Sequence, residues 1–454
     1  MDIKQIAGIG SDKVFRDKLT QLVLPIMFQS FMLALVSATD AVMLGLLNQD
    51  SLSASSLGGQ VQLVFNLFVN GIASGTGILM AQYWGKKDRD AVEHVLPITL
   101  RYMLPVGLAF TMLTLLLPSQ IMCIFTNDSE LIRLGAIYLR TVSLSYLFCA
   151  LSQTYLTALK NTGRTGVCSV ISSTAVVLNI ILNAILIFGL FGMPAMGIAG
   201  AALATVISRA VELLLSIWQT SDPGQVRVRW KYLFSSRPSL SADFRKYTFP
   251  IVLALLVWGG AFTQYSVIMG HLGGDATAAY SIIGIVKNLF SCLINGLAGG
   301  TSIMMGNVLG TGDMELAWEY SRRFFRLSIL VGILTGLAII VMIPVITRVA
   351  PLTTRAEGYL RWMLVLCGIN IMFNSFNRTI LNGILFSGGD SAFDMYGNIG
   401  AMWCCTVPLG YLTTFLFRLA PPVVFIFISL DEIVKIPAVV HRYREKRWLR
   451  NITR

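Results

Sequence analysis

The sequence predicts an all-α membrane protein of about twelve transmembrane helices, arranged as two parallel six-helix repeats. Three observations carry this reading. The composition is too apolar for a water-exposed surface, the apolar runs are long enough to cross a bilayer, and the second half repeats the first. Of the 454 residues, 55% are hydrophobic and 13% are charged, whereas a soluble protein carries about 25% charged residues. Val167 to Leu190 and Leu327 to Ile346 hold no charge, and a span needs roughly 20 apolar residues.

Helices are the default in lipid because each satisfies its own backbone hydrogen bonds; a β-barrel would show short alternating segments instead. The expected spans are 19–47, 56–83, 95–117, 134–158, 167–190, 197–219, 248–270, 277–308, 327–347, 359–386, 392–416 and 420–437. Residues 1–18 are polar and charged, without the apolar stretch or cleavage site of a signal peptide. They form an N-terminal segment ahead of a first half over 19–219. A linker over 220–247 follows, then a second half over 248–437 and a basic tail over 438–454.

Charge placement sets the orientation. With the N-terminus cytoplasmic, that side collects Lys86, Lys87 and Arg89, then Arg227, Arg229, Lys231, Arg237, Arg245 and Lys246, then the tail from Arg442 to Arg454. The other side holds Arg133, Arg348, Arg355, Arg361 and Arg418. The positive-inside rule then makes both termini cytoplasmic. It also explains the net charge of +12 without a nucleic-acid partner; the tail is equally suited to anionic lipid.

The repeat has a constant offset, the 225 residues that separate Pro25 from Pro250. At that offset Gly45 aligns with Gly270, Asp50 with Asp275, Gly71 with Gly296, Gly85 with Gly310 and Asp88 with Asp313. The run Gly75-Thr76-Gly77-Ile78-Leu79-Met80 aligns with Gly300-Thr301-Ser302-Ile303-Met304-Met305. Six spans return the chain to its starting side, so the halves are parallel repeats, an arrangement seen in secondary transporters.

Polar residues inside the spans mark function. Asp40 is the one acid that reads as deep in a span; it lies about 30 Å along the first helix, in its outer half. A carboxylate there can exchange a proton or hold a small cation. Gln29, Leu33, Val36 and Asp40 share a helical face. Gln62, Asn66 and Asn70 form a stripe on the second helix, matched by Lys287, Ser291 and Asn295 in the repeat. Asn370, Asn374, Arg378 and Asn382 form a third. These stripes, with Trp258 and Tyr265 of the seventh helix, are the expected lining of a substrate cavity. The symmetry breaks at the charges: Asp40 matches Tyr265, and Gln62 matches Lys287. No acid of the second half is evidently placed to neutralise Lys287 and Arg378; the readings open are that one of them snorkels to an interface, that Lys287 reaches Asp40 between the halves, or that the solute carries an anionic or zwitterionic group. Arg209 and Glu212 read as a surface pair at a helix end. The seven cysteines include no Cys-x-x-Cys and read as small core residues. The three histidines lack ligand spacing, so no metal site is expected.

Together these features resemble the multidrug and toxic compound extrusion (MATE) family over essentially the whole chain. The most specific pieces are Pro25…Asp40…Gly45, then Gly75-Thr76-Gly77…Gln82…Gly85, then Asn179 to Gly189 and Gly197 to Thr205. The resemblance implies antiport in a bacterial inner membrane. An organic solute, often cationic, leaves in exchange for H⁺ or Na⁺, with no other cofactor and with the protein a monomer surrounded by membrane lipid. It is closest to the DNA-damage-inducible (DinF-like) branch. That branch's ion site maps onto Asp40, Asn179, Asn183 and Thr205. Asn183 stands where the branch carries a second acid, which favours protonation of Asp40 over a strong Na⁺ site. The alternative within the broader superfamily is a flippase for lipid-linked oligosaccharides, whose pyrophosphates suit a cationic cavity. An intramembrane enzyme would need a nucleophile with its base, or a metal cluster; the sequence offers neither. It also shows no filter loop of a channel.

Overall fold

The computed structural model describes residues 13–220, 232, 237–350 and 352–453. Most of the expected segment 1–18 and much of the linker, with Arg227, Arg229 and Lys231, lie outside the described residues. The described chain is helical, without strands. The helices of the first half are α1 (Lys13–Leu47), α2 (Gln49–Gly85), α3 (Arg89–Leu116), α4 (Ser129–Asn161), α5 (Thr165–Phe188) and α6 (Ile198–Thr220). Those of the second half are α7 (Pro238–His271), α8 (Gly274–Thr311), α9 (Met314–Val349), α10 (Thr354–Leu385) and α11 (Ala392–Leu416). Among the described residues these 11 are long and apolar enough to cross a membrane. The expected span over 420–437 is instead divided into α12 (Pro421–Ile428) and α13 (Asp431–Arg444). The division falls where the apolar run gives way to Ser429, Asp431, Glu432 and Lys435. The second half also departs from regular α-helix. Wider π turns occupy Thr379–Leu385 in α10, and Ile399–Thr406 and Leu412–Leu416 in α11.

The repeat is visible in matched local structure. Asp88 caps α3 by accepting from the Ala91 N–H at 3.0 Å, and its counterpart Asp313 caps α9 by accepting from the Leu316 N–H at 2.9 Å. Close backbone crossings also come in matched pairs. A methyl group added at Gly85 would lie 2.0 Å from the Asn307 carbonyl oxygen, and one at Gly310 would lie 2.0 Å from that of Gln82. Asn307 and Gln82 are themselves 225 residues apart. Between these two contacts Gly306 packs on Ala81, its own counterpart. Equivalent positions that touch each other require a local two-fold axis between the ends of α2 and α8. Gly71 against Val252 and Gly296 against Met27 form another matched pair. Only glycine lets two backbones approach this closely.

The chain divides into two compact units, each of which takes in a short piece from the other half of the sequence. The N-terminal unit comprises Phe28–Met80 and Asp88–Val252. Within it α4 packs on α3 and α6, and α5 packs on α6. The Phe65 ring meets Tyr146 at 5.0 Å and Phe110 at 5.3 Å. The C-terminal unit comprises Ala81–Lys87, Leu253–Arg454 and the described part of Met1–Met27. Within it α10 packs on α8, α9 and α13, and Phe15 lies against Tyr320 and Phe324.

The last residues are not a free basic tail. Trp448 is fully buried and stacks on Tyr443. Arg450 donates to the carbonyls of Gly388 and Gly389, and Asn451 to that of Gly310. The Ile452 N–H donates to Gln82 Oε1 at 2.9 Å. Arg442 grips Asp390 with two bonds, of 2.6 and 2.9 Å, which raise its guanidinium above its ordinary value. Positive charge here is spent partly on fastening the chain to itself, which charge counting along a sequence does not distinguish from topology setting.

Candidate functional site

In the N-terminal unit α1 and α5 run side by side in one register. Asn183 donates to Asp40 Oδ1 at 2.5 Å, and Gln29 donates to Ser172 Oγ at 2.6 Å; both pairs are separated by 143 residues. Each partner in the second bond precedes its mate in the first by three helical turns. Two polar layers therefore stand about 16 Å apart along α1.

The first layer joins four expected residues. The Asn183 amide nitrogen reaches Asp40 and also Asn179 Oδ1, at 3.1 Å. Asn179 donates to Thr205 Oγ1 on α6 at 3.4 Å. Thr205 donates to the Ala201 carbonyl, one turn back, at 3.1 Å. Asn179 and Asn183 are buried and Asp40 is half-buried. The Asn183 carbonyl oxygen is buried without a partner. A buried amide oxygen left unpaired is costly. Together with the Asp40 carboxylate it offers oxygen acceptors for a proton donor or a small cation. Among the described residues no three His, Cys, Asp or Glu side chains converge as a metal site.

The second layer corrects the sequence reading of Arg209 and Glu212. The pair is not on the surface: Glu212 is 1% exposed. Its carboxylate accepts from Arg209 at 2.7 Å, Ser172 at 3.2 Å and Ser152 at 3.3 Å. Gln29, expected to line the cavity, is buried on this network instead.

The C-terminal unit corrects two further expectations. Asp40 is not the only buried acid of the helical bundle, because Asp394, Asp431 and Glu432 are buried as well. Lys287 and Arg378 accordingly do not lack acids in their own half. Glu432 accepts from Asn374 at 2.7 Å and from Asn377 at 2.8 Å. Lys435 is buried one turn away, and Lys287 and Arg378 both lie within the electrostatic reach of Glu432. Lys287 donates to Asn370 at 3.2 Å, and Arg378 donates to Asn295. Asn370, in turn, donates to the Ser429 carbonyl at the break between α12 and α13. The missed signal was Asp431-Glu432 followed by Lys435 inside an assigned span, at the i, i+4 and i, i+3 spacings that place opposite charges on one helix face.

The remaining expected residues have local partners. Gln62 donates to Asn66 at 3.1 Å, and Asn70 is exposed. Trp258 stacks on Phe262 at 5.5 Å. Tyr265 is buried, with its hydroxyl 2.5 Å from Thr406 Oγ1 on α11. Tyr265 is the repeat mate of Asp40 and likewise bonds to the fifth long helix of its half, although Thr406 lies 225 residues beyond Ile181 and not beyond Asn183. Ala254, the repeat mate of Gln29, accepts through its backbone carbonyl from Asn398 of α11 at 3.5 Å.

The sequence matches the MatE family model over residues 25–185 and again over 250–412, so one family pattern covers most of each half. It is 22% identical over 443 residues to the uncharacterized transporter YisQ of Bacillus subtilis, covering 97% of this chain and 96% of that one. It is 23% identical over 405 residues to the probable multidrug resistance protein NorM of Thermotoga maritima, covering 89% and 87%. Among solved structures, a MOP superfamily transporter from Pyrococcus furiosus matches with a TM-score of 0.87 at 18% identity, over 95% of this chain and 96% of that one. A mutant of the Vibrio cholerae MATE transporter VcmN matches with a TM-score of 0.86 at 17% identity, over 95% and 97%. The fold is thus that of MATE transporters, and with its family pattern met once in each half, this multi-pass membrane chain belongs to the MatE family.

Proposed function

We propose that the chain is a secondary antiporter that exports organic solutes in exchange for H⁺ by alternating access, with Asp40 as the coupling acid. The observation that carries this reading is the Asp40–Asn183–Asn179–Thr205 chain of hydrogen bonds. An intramembrane carboxylate is functional by default. Here every side chain bonded onward from it is neutral, so a single proton decides the charge of the layer. Asn183 leaves one carboxylate where two would favour a metal cation, which supports H⁺ over Na⁺. The relative named above as a probable multidrug resistance protein supports a broad solute range. On this reading the protein acts as a monomer in a bacterial inner membrane with both termini cytoplasmic. The charge-balanced surroundings of Lys287 and Arg378 remove the ground for requiring an anionic solute, and with it the main support for a pyrophosphate flippase.

Reconstitution in proteoliposomes tests the reading. An inward proton gradient should drive uphill movement of an organic cation such as ethidium, with counter-movement of protons. A gradient of Na⁺ alone should not. Asn183→Asp should add a measurable Na⁺ dependence, because it supplies the second carboxylate. Uphill transport that follows Na⁺ and ignores pH in the wild type would overturn the assignment of the ion.

A further inference from the structure

Glu212 is a buried carboxylate that the coupling reading leaves unused. It sits at the far end of a polar track on one face of α6, where Thr205, Arg209 and Glu212 follow at i, i+4 and i+7. Thr205 belongs to the Asp40 layer and Glu212 to the Gln29–Ser172 layer. Arg209 stands between them. It is bonded to Glu212 at 2.7 Å and lies within electrostatic reach of Asp40. Thr205 and Glu212 themselves are about 10 Å apart along α6. The groups around Glu212 come from three helices: Cys149, Ser152 and Lys160 on α4, Cys168 and Ser172 on α5, and Arg209 on α6. An ion pair held this deeply is a poor way to gain stability, since apolar replacements often serve as well or better. Its hydroxyl neighbours and its place on the Asp40 track point to proton handling.

We propose that Glu212 is a second proton station of the N-terminal unit, and that Arg209 changes partner between Glu212 and Asp40 as the proton moves. The inference rests on reading Asp40 as the coupling acid. In the starting state Asp40 is a neutral acid and Glu212 an anion paired with Arg209. The O–H bond of Asp40 breaks, the proton passes through water between the layers, and an O–H bond forms on Glu212. The negative charge has then moved from Glu212 to Asp40, and the guanidinium follows it. The three groups sum to zero charge before and after, so no net charge is created in the interior. Glu212 afterwards releases its proton towards the end of the bundle that holds the α4–α5 turn, Asp40 takes up a new proton from the outer side, and Arg209 returns to Glu212, which restores the starting state. Transfer from the outer to the inner half of the membrane is the direction that inward proton flow requires for export.

Infrared difference spectroscopy of the full-length protein in lipid, across a pH titration, tests this without needing a substrate. The C=O stretch of a protonated carboxyl is assigned with Asp40→Asn and Glu212→Gln. The expected result is a band for each carboxyl at the same pH, because the two one-proton states differ in where the proton sits and not in how many there are, and both bands should fade together with one midpoint as pH rises. A Glu212 band that never appears, or that fades over a pH range separate from that of Asp40, overturns the inference and leaves the antiport reading standing. Absence of any Asp40 band overturns both. Glu212→Gln alone strands the Arg209 charge, so Arg209→Met with Glu212→Gln is the companion variant. It should keep the wild-type melting temperature and bind ethidium unchanged, yet lose proton-driven uptake at least about ten-fold. Full uptake by this double variant would show that the pair only holds helices together, and would sink the proposal.

Discussion

The α1–α5 pair and the α7–α11 pair are the same joint built twice with different chemistry. In the first, Asp40 meets Asn183 and Gln29 meets Ser172. In the second, Tyr265 meets Thr406 and Ala254 meets Asn398. Both joints tie the first helix of a half to its fifth, through partners on the fifth helix that are not exact repeat mates, and only the first joint contains a carboxylate. The second uses a phenol and a hydroxyl, neutral across the physiological range. Duplication thus preserved the carpentry of the joint while ionisable chemistry stayed in one copy. The C-terminal unit instead gathers charges from α8, α10, α11 and α13, where Lys287, Arg378 and Lys435 lie near Asp394, Asp431 and Glu432. Three positive and three negative groups make that cluster self-compensating, whereas the Asp40 layer holds a lone carboxylate among amides.

The sharpest way to break the comparison is to neutralise the first joint. Asp40→Asn should abolish gradient-driven uptake in proteoliposomes, a loss of about two orders of magnitude or more, while the melting temperature barely moves; an amide fits the same bonds but exchanges no proton. Uphill uptake retained by that variant would put the coupling acid elsewhere. In the C-terminal cluster, Glu432→Gln should act mainly on stability, by about 3–5 kcal/mol, because it leaves buried cations uncompensated. Thermal unfolding in detergent would read this. A stable variant that lost coupling would mean the second half also titrates. Gly310→Ala and Gly85→Ala should cost about 1–3 kcal/mol each through backbone overlap. The two costs should be alike, since the contacts are mates; a large difference in melting temperature between them would contradict the local two-fold axis. The smallest effect is expected from Tyr265→Phe, about 1 kcal/mol with coupling unchanged, because Thr406 keeps its bond to the Met402 carbonyl.

Much of this was legible in the sequence because it rests on period and offset. Apolar run length gave the helices, and the constant spacing of Pro25, Gly71, Gly85 and Asp88 from their mates gave the repeat. The Asp40–Asn179–Asn183–Thr205 layer followed from one acid in an apolar helix together with the family resemblance. What stayed hidden depends on which helix lies beside which. Glu212 looks like a helix-end surface residue until α4 and α5 are laid over it. Asp431, Glu432 and Lys435 look like the polar end of a span until α10 brings Asn374 and Asn377 against them. Trp448 and Arg450 count as tail charge and tail bulk until Gly388 and Gly389 are seen to receive them. Side-chain chemistry was readable; the partner across a helix interface was not.

The bond between Gln82 and the backbone of Ile452 spans 370 residues, and that separation has a temporal meaning. A ribosome makes the chain from the N-terminus, so Gln82 exists long before its partner does. Until residue 452 is synthesised, the Gln82 side-chain oxygen lacks the Ile452 amide from which it accepts. This bond therefore forms only after α1 to α11 have all been made.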